Sequence, residues 1–496
     1  MKKSLRKQKA KNPAQQTPKQ RSVLANYLRA FLLASTIYYS GYYMGIMNPM
    51  GEILTRLVFR IETDQQANEF IGNCNLLLCI GAMVSFFFVG PAANKLGRVR
   101  LLILSELLGV CLGLGYAVQS IPVFYLMRTL TGVAVGFIGG VVPIALSELF
   151  PSEITGVAGC FAYFSSTSFT LVGWLTPYFF GNDKELIAEN YRWIFVGPAV
   201  LGAAHLACLW VAFGFGALDS PAFFLQKLDR KSGVNEEEGV VKSVENWLGC
   251  VYKEDEVALI ARNMIKRHKS QLAQNSAKSA EEGITALLGP RFRFRFFIAI
   301  ALNITQQLTG INYLIFLSTQ LFDKISNNGR EMTLVIGAAN LFGGVVGIFT
   351  ISRLGRRFNM LSGLLTQILG FSLLFFGILN KIDQTAIYVA GVVLYMVSFA
   401  AGMGGTLGIY CAEIVPATAV GVSGSLKWLF ASLVGKLLPG LNDSLGPPVL
   451  IQFFIGCMAL TFVFVYFNCV ETLGLGMEQV EAYYRGDKRV RKQKKE

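Results

Sequence analysis

The chain has 496 residues, 53% of them hydrophobic and only 15% charged, with a mean hydropathy of +0.47. A soluble chain of this length carries roughly a quarter charged residues, which excludes a large soluble enzyme and indicates repeated passage through a membrane. The net charge of +14 is concentrated at the ends: residues 1–29 hold nine Lys/Arg and no acid, and residues 485–495 hold seven against Asp487.

Basic tails beside membrane spans follow the tendency of Lys and Arg to stay on the cytoplasmic side. They lack interleaved aromatics, so no nucleic-acid partner is expected. The basic start leads into a span of full length, which is not the pattern of a cleavable signal peptide. A transit peptide is raised by the acid-poor start but opposed by its excess of Lys over Arg. The nine cysteines mostly fall inside apolar runs with no even spacing, so free thiols are expected rather than disulfides or a metal site.

Windows of about 20 apolar residues place spans near 29–51, 70–93, 100–119, 121–149, 156–180 and 193–216. After a polar stretch come 294–322, 332–352, 358–379, 386–412, 419–440 and 447–468. The expected fold is therefore an all-α membrane protein of about twelve transmembrane helices in two six-helix halves. Residues 1–28 form a basic tail, 29–216 the first half, 217–292 a helical linker, 293–468 the second half and 469–496 a second basic tail. The joints after spans 2 and 8 are basic (Lys95, Arg98, Arg100; Arg353, Arg356, Arg357), whereas those after spans 1 and 5 are mixed or acidic. This alternation predicts that both termini and the linker lie on the cytoplasmic side. Within the linker, Val257 to Ala261 and Met264-Ile265 have the spacing of amphipathic surface helices. Asn235 to Gly239 and Ser270 to Gly283 read as flexible joints.

An internal repeat links the halves. Asn94-Lys95-Leu96-Gly97-Arg98 follows span 2 and Ser352-Arg353-Leu354-Gly355-Arg356-Arg357 follows span 8; Glu148 ends span 4 before Pro151, and Glu413 ends span 10 before Pro416. A carboxylate beside lipid is disfavoured, so Glu148 and Glu413 are expected to pair with Arg98 and with Arg356 or Arg357 as breakable latches that hold the cytoplasmic side shut.

Gln306-Gln307-Leu308-Thr309-Gly310-Ile311-Asn312 lies about ten residues into the seventh run. Carboxamides at that depth cost several kcal/mol unless they have partners or line a wet cavity. Gln307 and Asn312 are separated by about 500° of helical rotation, so both reach one cleft if the helix breaks at Gly310. Amides both donate and accept, which suits a small neutral solute rich in hydroxyls.

In order along the chain, Gly41-Tyr42, Asn94 to Arg98, Arg128 with Pro143 and Glu148, Tyr191-Arg192-Trp193, Asp219-Ser220-Pro221, Gln306 to Asn312, Leu354 to Arg357, Glu413 and Glu471-Thr472 make up a set that resembles the sugar porters of the major facilitator superfamily. The resemblance implies the major facilitator fold, transport of a sugar or polyol by alternating access, no enzymatic activity and no cofactor. By that resemblance, Gln306, Gln307, Asn312 and Asn340 hydrogen-bond the solute. Asp219 joins Arg98, Glu148, Arg356, Arg357 and Glu413 at the cytoplasmic gate.

The departures bear on mechanism. Tyr43 stands where proton-coupled members have an aspartate, which favours facilitated diffusion and leaves Glu106 and Arg128 as the notable ionisable residues of the early spans. Tyr163 replaces a sugar-binding glutamine. Gly404 to Gly408 replace a Gly-Pro-x-Pro-Trp run, leaving Trp428 as a candidate aromatic floor, although the Glu413–Trp428 interval is roughly four residues, about one helical turn, short. Lys427 sits where a neutral residue is common. Thr155, Val420, Ser352 and Ala222 thin the set of cytoplasmic ion pairs. These departures keep two other readings open: a transport-incompetent sensor or structural subunit with partners in a membrane complex, and a carrier of a non-sugar organic solute. The plasma membrane is the expected location, and an organelle membrane, including the mitochondrial inner membrane, is the alternative.

Overall fold

A computed structural model describes residues 20–181, 183–214, 218–228, 234–275, 287–290, 292–315, 329–380, 385–475 and 477–484. The described residues are almost wholly helical; their only β pairing is an isolated bridge between Gln20 and Tyr252. In lipid this is what backbone hydrogen bonding demands, because a helix satisfies its polar groups within one segment.

The first span begins earlier than its hydropathy suggested. Ser22 caps α1 (Val23–Ser35), its hydroxyl accepting from the Ala25 N–H. The chain then runs through α2 (Tyr38–Gly45), α3 (Met47–Ile53) and a π-turn over Leu54–Val58. Next come α4 (Asp64–Phe87), α5 (Val89–Leu96), α6 (Arg98–Gly115), α7 (Ile121–Leu149), α8 (Ser152–Phe179), the short α9 (Lys184–Glu189) and α10 (Tyr191–Phe213). Beyond the linker are α14 (Arg293–Gln307), α15 (Gly329–Leu354), α16 (Arg356–Leu379) and α17 (Thr385–Phe399). A π-turn over Ala400–Gly404 leads to α18 (Gly405–Ile414), followed by α19 (Ala417–Leu445), α20 (Pro447–Asn468) and α21 (Met477–Tyr484).

Among the described residues seven helical stretches are long and apolar enough to cross a membrane: Asp64–Phe87, Ile121–Leu149, Tyr191–Phe213, Met332–Leu354, Arg356–Leu379, Ala386–Ile414 and Pro447–Asn468. The other expected spans coincide with helices that are interrupted, polar or charged. Residues 23–58 are broken into pieces, α6 carries Glu106, α19 carries Lys427, and the seventh span passes beyond Ile315 into residues outside the described set.

Buried side chains gather into two large cores. One is built on α1 to α10, around Tyr39, Tyr43, Tyr116, Phe124 and Phe195; the other on α14 to α21, around Phe371, Tyr395, Met403 and Phe454. They interlock at two places: Trp428 and Ala431 of α19 belong to the first core, and Trp174 of α8 to the second. The contact between halves uses small residues. A methyl on Gly424 would meet the Phe86 ring at 2.1 Å, and one on Gly337 would meet Trp174 at 2.9 Å. Such close approach is how helices associate where apolar lipid gives no hydrophobic drive.

The linker contains α11 (Pro221–Leu228), α12 (Val234–Val251) and α13 (Glu254–Asn275), which share a small core of Phe223, Val240, Val244, Leu248 and Ala261. The expected joint at Asn235–Gly239 is instead the first turn of α12. Val240, Val244, Trp247, Leu248 and Val251 bury one face of it. Likewise Ser270–Asn275 continue α13, and the rest of that expected joint lies outside the described residues. Trp247 docks the linker on the bundle, its Nε1–H donating to the Leu149 carbonyl at 3.0 Å.

Candidate functional site

The amide string falls at a helix break. α14 ends at Gln307, Gly310 adopts φ +93°, and the helix resumes with Tyr313 N–H bonding back to the Gly310 carbonyl. A methyl on Gly310 would meet the Phe371 ring at 2.7 Å, so the glycine serves both the turn and a close contact. The break lets Asn312 Nδ2 donate to Gln307 Oε1 at 2.8 Å, although the two residues are separated by more than a turn. Gln306 Nε2 donates to the Met403 carbonyl at 3.1 Å, in the π-turn between α17 and α18. That π-turn thus has a local role, since it presents a carbonyl that a regular helix would keep for itself.

These amides line a cavity of about 320 Å³ between the halves. Gln306, Gln307, Asn312 and Asn340 contribute from the second half, and Ser40, Tyr163 and Thr167 from the first. Tyr163 spans the gap, its hydroxyl donating to Asn340 Oδ1 at 3.1 Å. Its ring lies over the unusual glycines of the tenth span: a methyl on Gly404 would sit 2.6 Å from the Tyr163 oxygen. Trp428 also reaches the cavity. Two aromatic rings are therefore available as walls, one from each half, and one of them is Trp428, the candidate floor named from the sequence. The volume lies at the lower end of the range for small-molecule pockets, and the lining mixes apolar surface with a few convergent polar groups.

Arg98, Glu148, Asp219, Arg356, Arg357 and Glu413 gather at the end of the bundle that carries the linker, in two clasps of the same design. In the first, Arg98 Nη2 donates to Glu148 Oε1 at 3.0 Å and its Nη1 to the Ala93 carbonyl at 3.2 Å. In the second, Arg356 Nη2 donates to Glu413 Oε1 at 2.7 Å and its Nη1 to the Ile351 carbonyl at 3.4 Å. Ser220 Oγ donates to the other Glu148 oxygen at 2.7 Å; Thr472 Oγ1 does the same for Glu413 at 2.5 Å.

A further carboxylate in each half caps the helix that follows the basic turn. Asp219 accepts from the N–H groups of Arg98 (3.1 Å), Val99 (3.2 Å) and Ser220 (2.7 Å). Glu471 accepts from those of Arg356 (2.8 Å), Arg357 (3.0 Å) and Leu473 (3.0 Å). Unpaired N–H groups at a helix N-terminus favour an anion. Burial lifts the Asp219 carboxyl above the ordinary carboxylate range, opposed by the N–H groups of Ser220 and Arg98. Arg357 does not reach Glu413: its Nη2 donates to the Tyr466 carbonyl at 2.6 Å and its guanidinium lies over the Tyr466 ring. Each clasp lies within one half. Glu471, Ser220 and Thr472 were quoted only as motif letters, and their symmetric positions in the two halves are the signal that marks them.

The remaining ionisable residues of the early spans have partners inside the first half. Arg128 Nη1 donates to the Tyr43 carbonyl at 2.8 Å, and His205 Nδ1 lies 2.7 Å from Glu106 Oε1. Ser352 bonds its own helix, with Oγ donating to the Ile348 carbonyl; the side chain of Thr155 lies outside the described set. All nine cysteines are free, and no group of metal-binding side chains occurs among the described residues.

Residues 29–484 match the family model for "sugar (and other) transporter". The plastidic glucose transporter 4 of Arabidopsis thaliana is 26% identical over 451 residues, 89% of this chain and 77% of that protein. The facilitated glucose transporter protein 1 of Caenorhabditis elegans is 26% identical over 486 residues, covering 92% and 90% of the two chains. The structure of the proton:xylose symporter XylE bound to 6-bromo-6-deoxy-D-glucose superposes with a TM-score of 0.76 at 20% identity, covering 93% of this chain and 98% of the other. The inward-open XylE of E. coli gives 0.70 at 20% identity, covering 93% and 100%. The chain therefore belongs to the sugar porter family of the major facilitator superfamily. It is a multi-pass membrane transporter, not an enzyme.

Proposed function

We propose that the protein carries a hexose-like sugar or polyol across its membrane by facilitated diffusion, the two halves rocking about the central cavity. The observation that carries this reading is the convergence of Gln306, Gln307, Asn312 and Asn340 on one cavity walled by both halves. Mid-membrane amides facing lipid or dry packing would be costly; facing a hydroxyl-rich solute they have partners. The glucose transporters among its relatives support the substrate class.

Uniport is supported by the bonding of Arg128 and Glu106. Arg128 is bonded to the backbone carbonyls of Tyr43 and Cys74, and Glu106 is paired with His205; none of these five residues lines the cavity. The two clasps would brace each half at the cytoplasmic gate, with the tails and linker on the same side, as the distribution of Lys and Arg favours. Purified protein in liposomes is expected to take up labelled D-glucose with no pH gradient, and Gln306→Ala to lower uptake about tenfold or more, the scale of one lost hydrogen bond plus a disturbed Met403 contact. Uptake untouched by Gln306→Ala would remove the assignment of the cavity, and uptake driven by an imposed proton gradient would replace uniport with symport.

A further inference from the structure

One side chain in the cavity carries a charge that a neutral sugar leaves unbalanced. Lys427 of α19 lines the same space as Gln306, Gln307 and Asn312. Its Nζ lies 5.5 Å from the Trp428 ring centre, and among the described residues no carboxylate is within ion-pair distance of it. Among the described residues the only acid on the cavity wall is Glu413, and its oxygens are held by Arg356 and Thr472. The titratable group facing Lys427 from α18 is the Cys411 thiol, whose sulfur is bonded by Asn303 Nδ2 at 3.6 Å. The buried arginines, by contrast, all have oxygen partners: Arg98 on Glu148, Arg128 on Tyr43, Arg295 on Ile414 and Glu481, and Arg356 on Glu413.

A lone ammonium walled in by helices and lipid is unfavourable unless something anionic joins it. We infer that the preferred substrate is a monosaccharide bearing one carboxylate, a sugar acid, whose carboxylate is taken by Lys427 while the amides that line the same cavity take its hydroxyls. This rests on the reading of the cavity as a sugar site and narrows the class. The charge count selects a carboxylate: one ammonium balances one negative charge, whereas a phosphate monoester with nearly two would leave the loaded cavity charged. The Trp428 ring beside Nζ adds an apolar face against which a pyranose can stack, so acid and ring are read by neighbouring residues.

The test uses the full chain in liposomes, with D-glucuronate and D-glucose competing for uptake, in wild type, Lys427→Met and Lys427→Arg. Wild type is expected to favour D-glucuronate about tenfold or more, the scale of a charge-assisted hydrogen bond. Lys427→Met should bring the ratio to about one, and Lys427→Arg should keep a preference for the acid. Size-exclusion profiles of the three proteins show that the change is not one of folding; if Lys427→Met is not monodisperse, the wild-type ratio and the Arg variant decide. D-glucose favoured by wild type, or a ratio unmoved in Lys427→Met, overturns the proposal and leaves the sugar site standing. Binding of butyrate but of neither sugar would overturn both.

Discussion

Gly97→Ala tests whether the glycine before each arginine is there for the turn or for the carboxylate above it. Gly97 has φ +100°, and a methyl built on it would lie 2.3 Å from Asp219 Oδ2. Gly446 has φ +79°, yet its nearest neighbour is a proline carbon at 3.8 Å. Both have ψ near 160°, a positive-φ region that only glycine enters freely, so both substitutions carry a similar backbone penalty of about 1–3 kcal/mol. Only Gly97→Ala must also expel the Asp219 carboxylate from the N–H groups of Arg98 and Val99, and hydrogen bonds to a charged group are worth about 1.5–3 kcal/mol each. The expected gap between the two variants is therefore about 3–6 kcal/mol. At roughly 2–4 °C per kcal/mol for a unit of this size, it separates their melting temperatures by on the order of 10 °C. Melting in detergent, followed by fluorescence-detected size exclusion, reads it directly. In an Asp219→Ala background, where the obstructing oxygens are gone, Gly97→Ala should cost only the backbone strain of about 1–3 kcal/mol. Equal losses for Gly97→Ala and Gly446→Ala, or a Gly97→Ala penalty undiminished by Asp219→Ala, would refute the carboxylate argument.

Glu413→Gln should destabilise by about 3–5 kcal/mol, because it leaves the buried Arg356 guanidinium without its counter-ion, while Arg357→Ala, which removes an exposed bond to Tyr466, should shift the melt by about 1 kcal/mol or less; the two melts side by side check that Glu413 belongs to Arg356 alone. Tyr163→Phe keeps the ring over Gly404 but removes the hydroxyl from Asn340, so the apparent KM for D-glucose should change by about fivefold, one hydrogen bond's worth, with little change in melting.

The helices and the amide string were legible because both are local. Hydropathy finds an apolar run wherever it lies, and Gln307, Gly310 and Asn312 announce a break within one turn of each other. The clasps were half legible: repeated strings marked Gly97, Arg98 and Glu148 against Gly355, Arg356 and Glu413, but their partners are remote in sequence. Asp219 meets Arg98 across 121 residues, Glu471 meets Arg356 across 115, and His205 meets Glu106 across 99. No periodicity encodes such pairs. The π-turns at Leu54–Val58 and Ala400–Gly404 were invisible for another reason, since a change in hydrogen-bond register leaves the mean hydropathy untouched. Asn235–Gly239 was misread because Asn, Glu and Gly were weighed as breakers, without regard to the acids' place at a helix start. Lys427 was legible as an odd residue, but its lack of a carboxylate is a three-dimensional fact.

The two clasps share one geometry, each tying the turn after its second or eighth span to the end of its fourth or tenth and to the segment beyond its sixth or twelfth. Because both partners of every clasp bond belong to the same half, the clasps stiffen each half at its linker end without joining the two. Among the described residues the bonds that do join the halves are fewer and separate: Tyr163 to Asn340, Lys436 to Asn73 at 2.9 Å, Asn48 to the Ile315 carbonyl at 3.0 Å, and a weak one from the Cys160 thiol to the Gly347 carbonyl at 3.9 Å. Beside these bonds, glycines pack against rings, as at Gly424 on Phe86. Rigid-body motion needs this distribution, with strong charge-assisted bonds inside each body and weak, directionless contact between bodies. Tyr163 and Asn340 are then the exception that matters. Their hydrogen bond crosses the interface beside the amides, so a solute hydroxyl that competes for Asn340 loosens one tie between the halves as it binds.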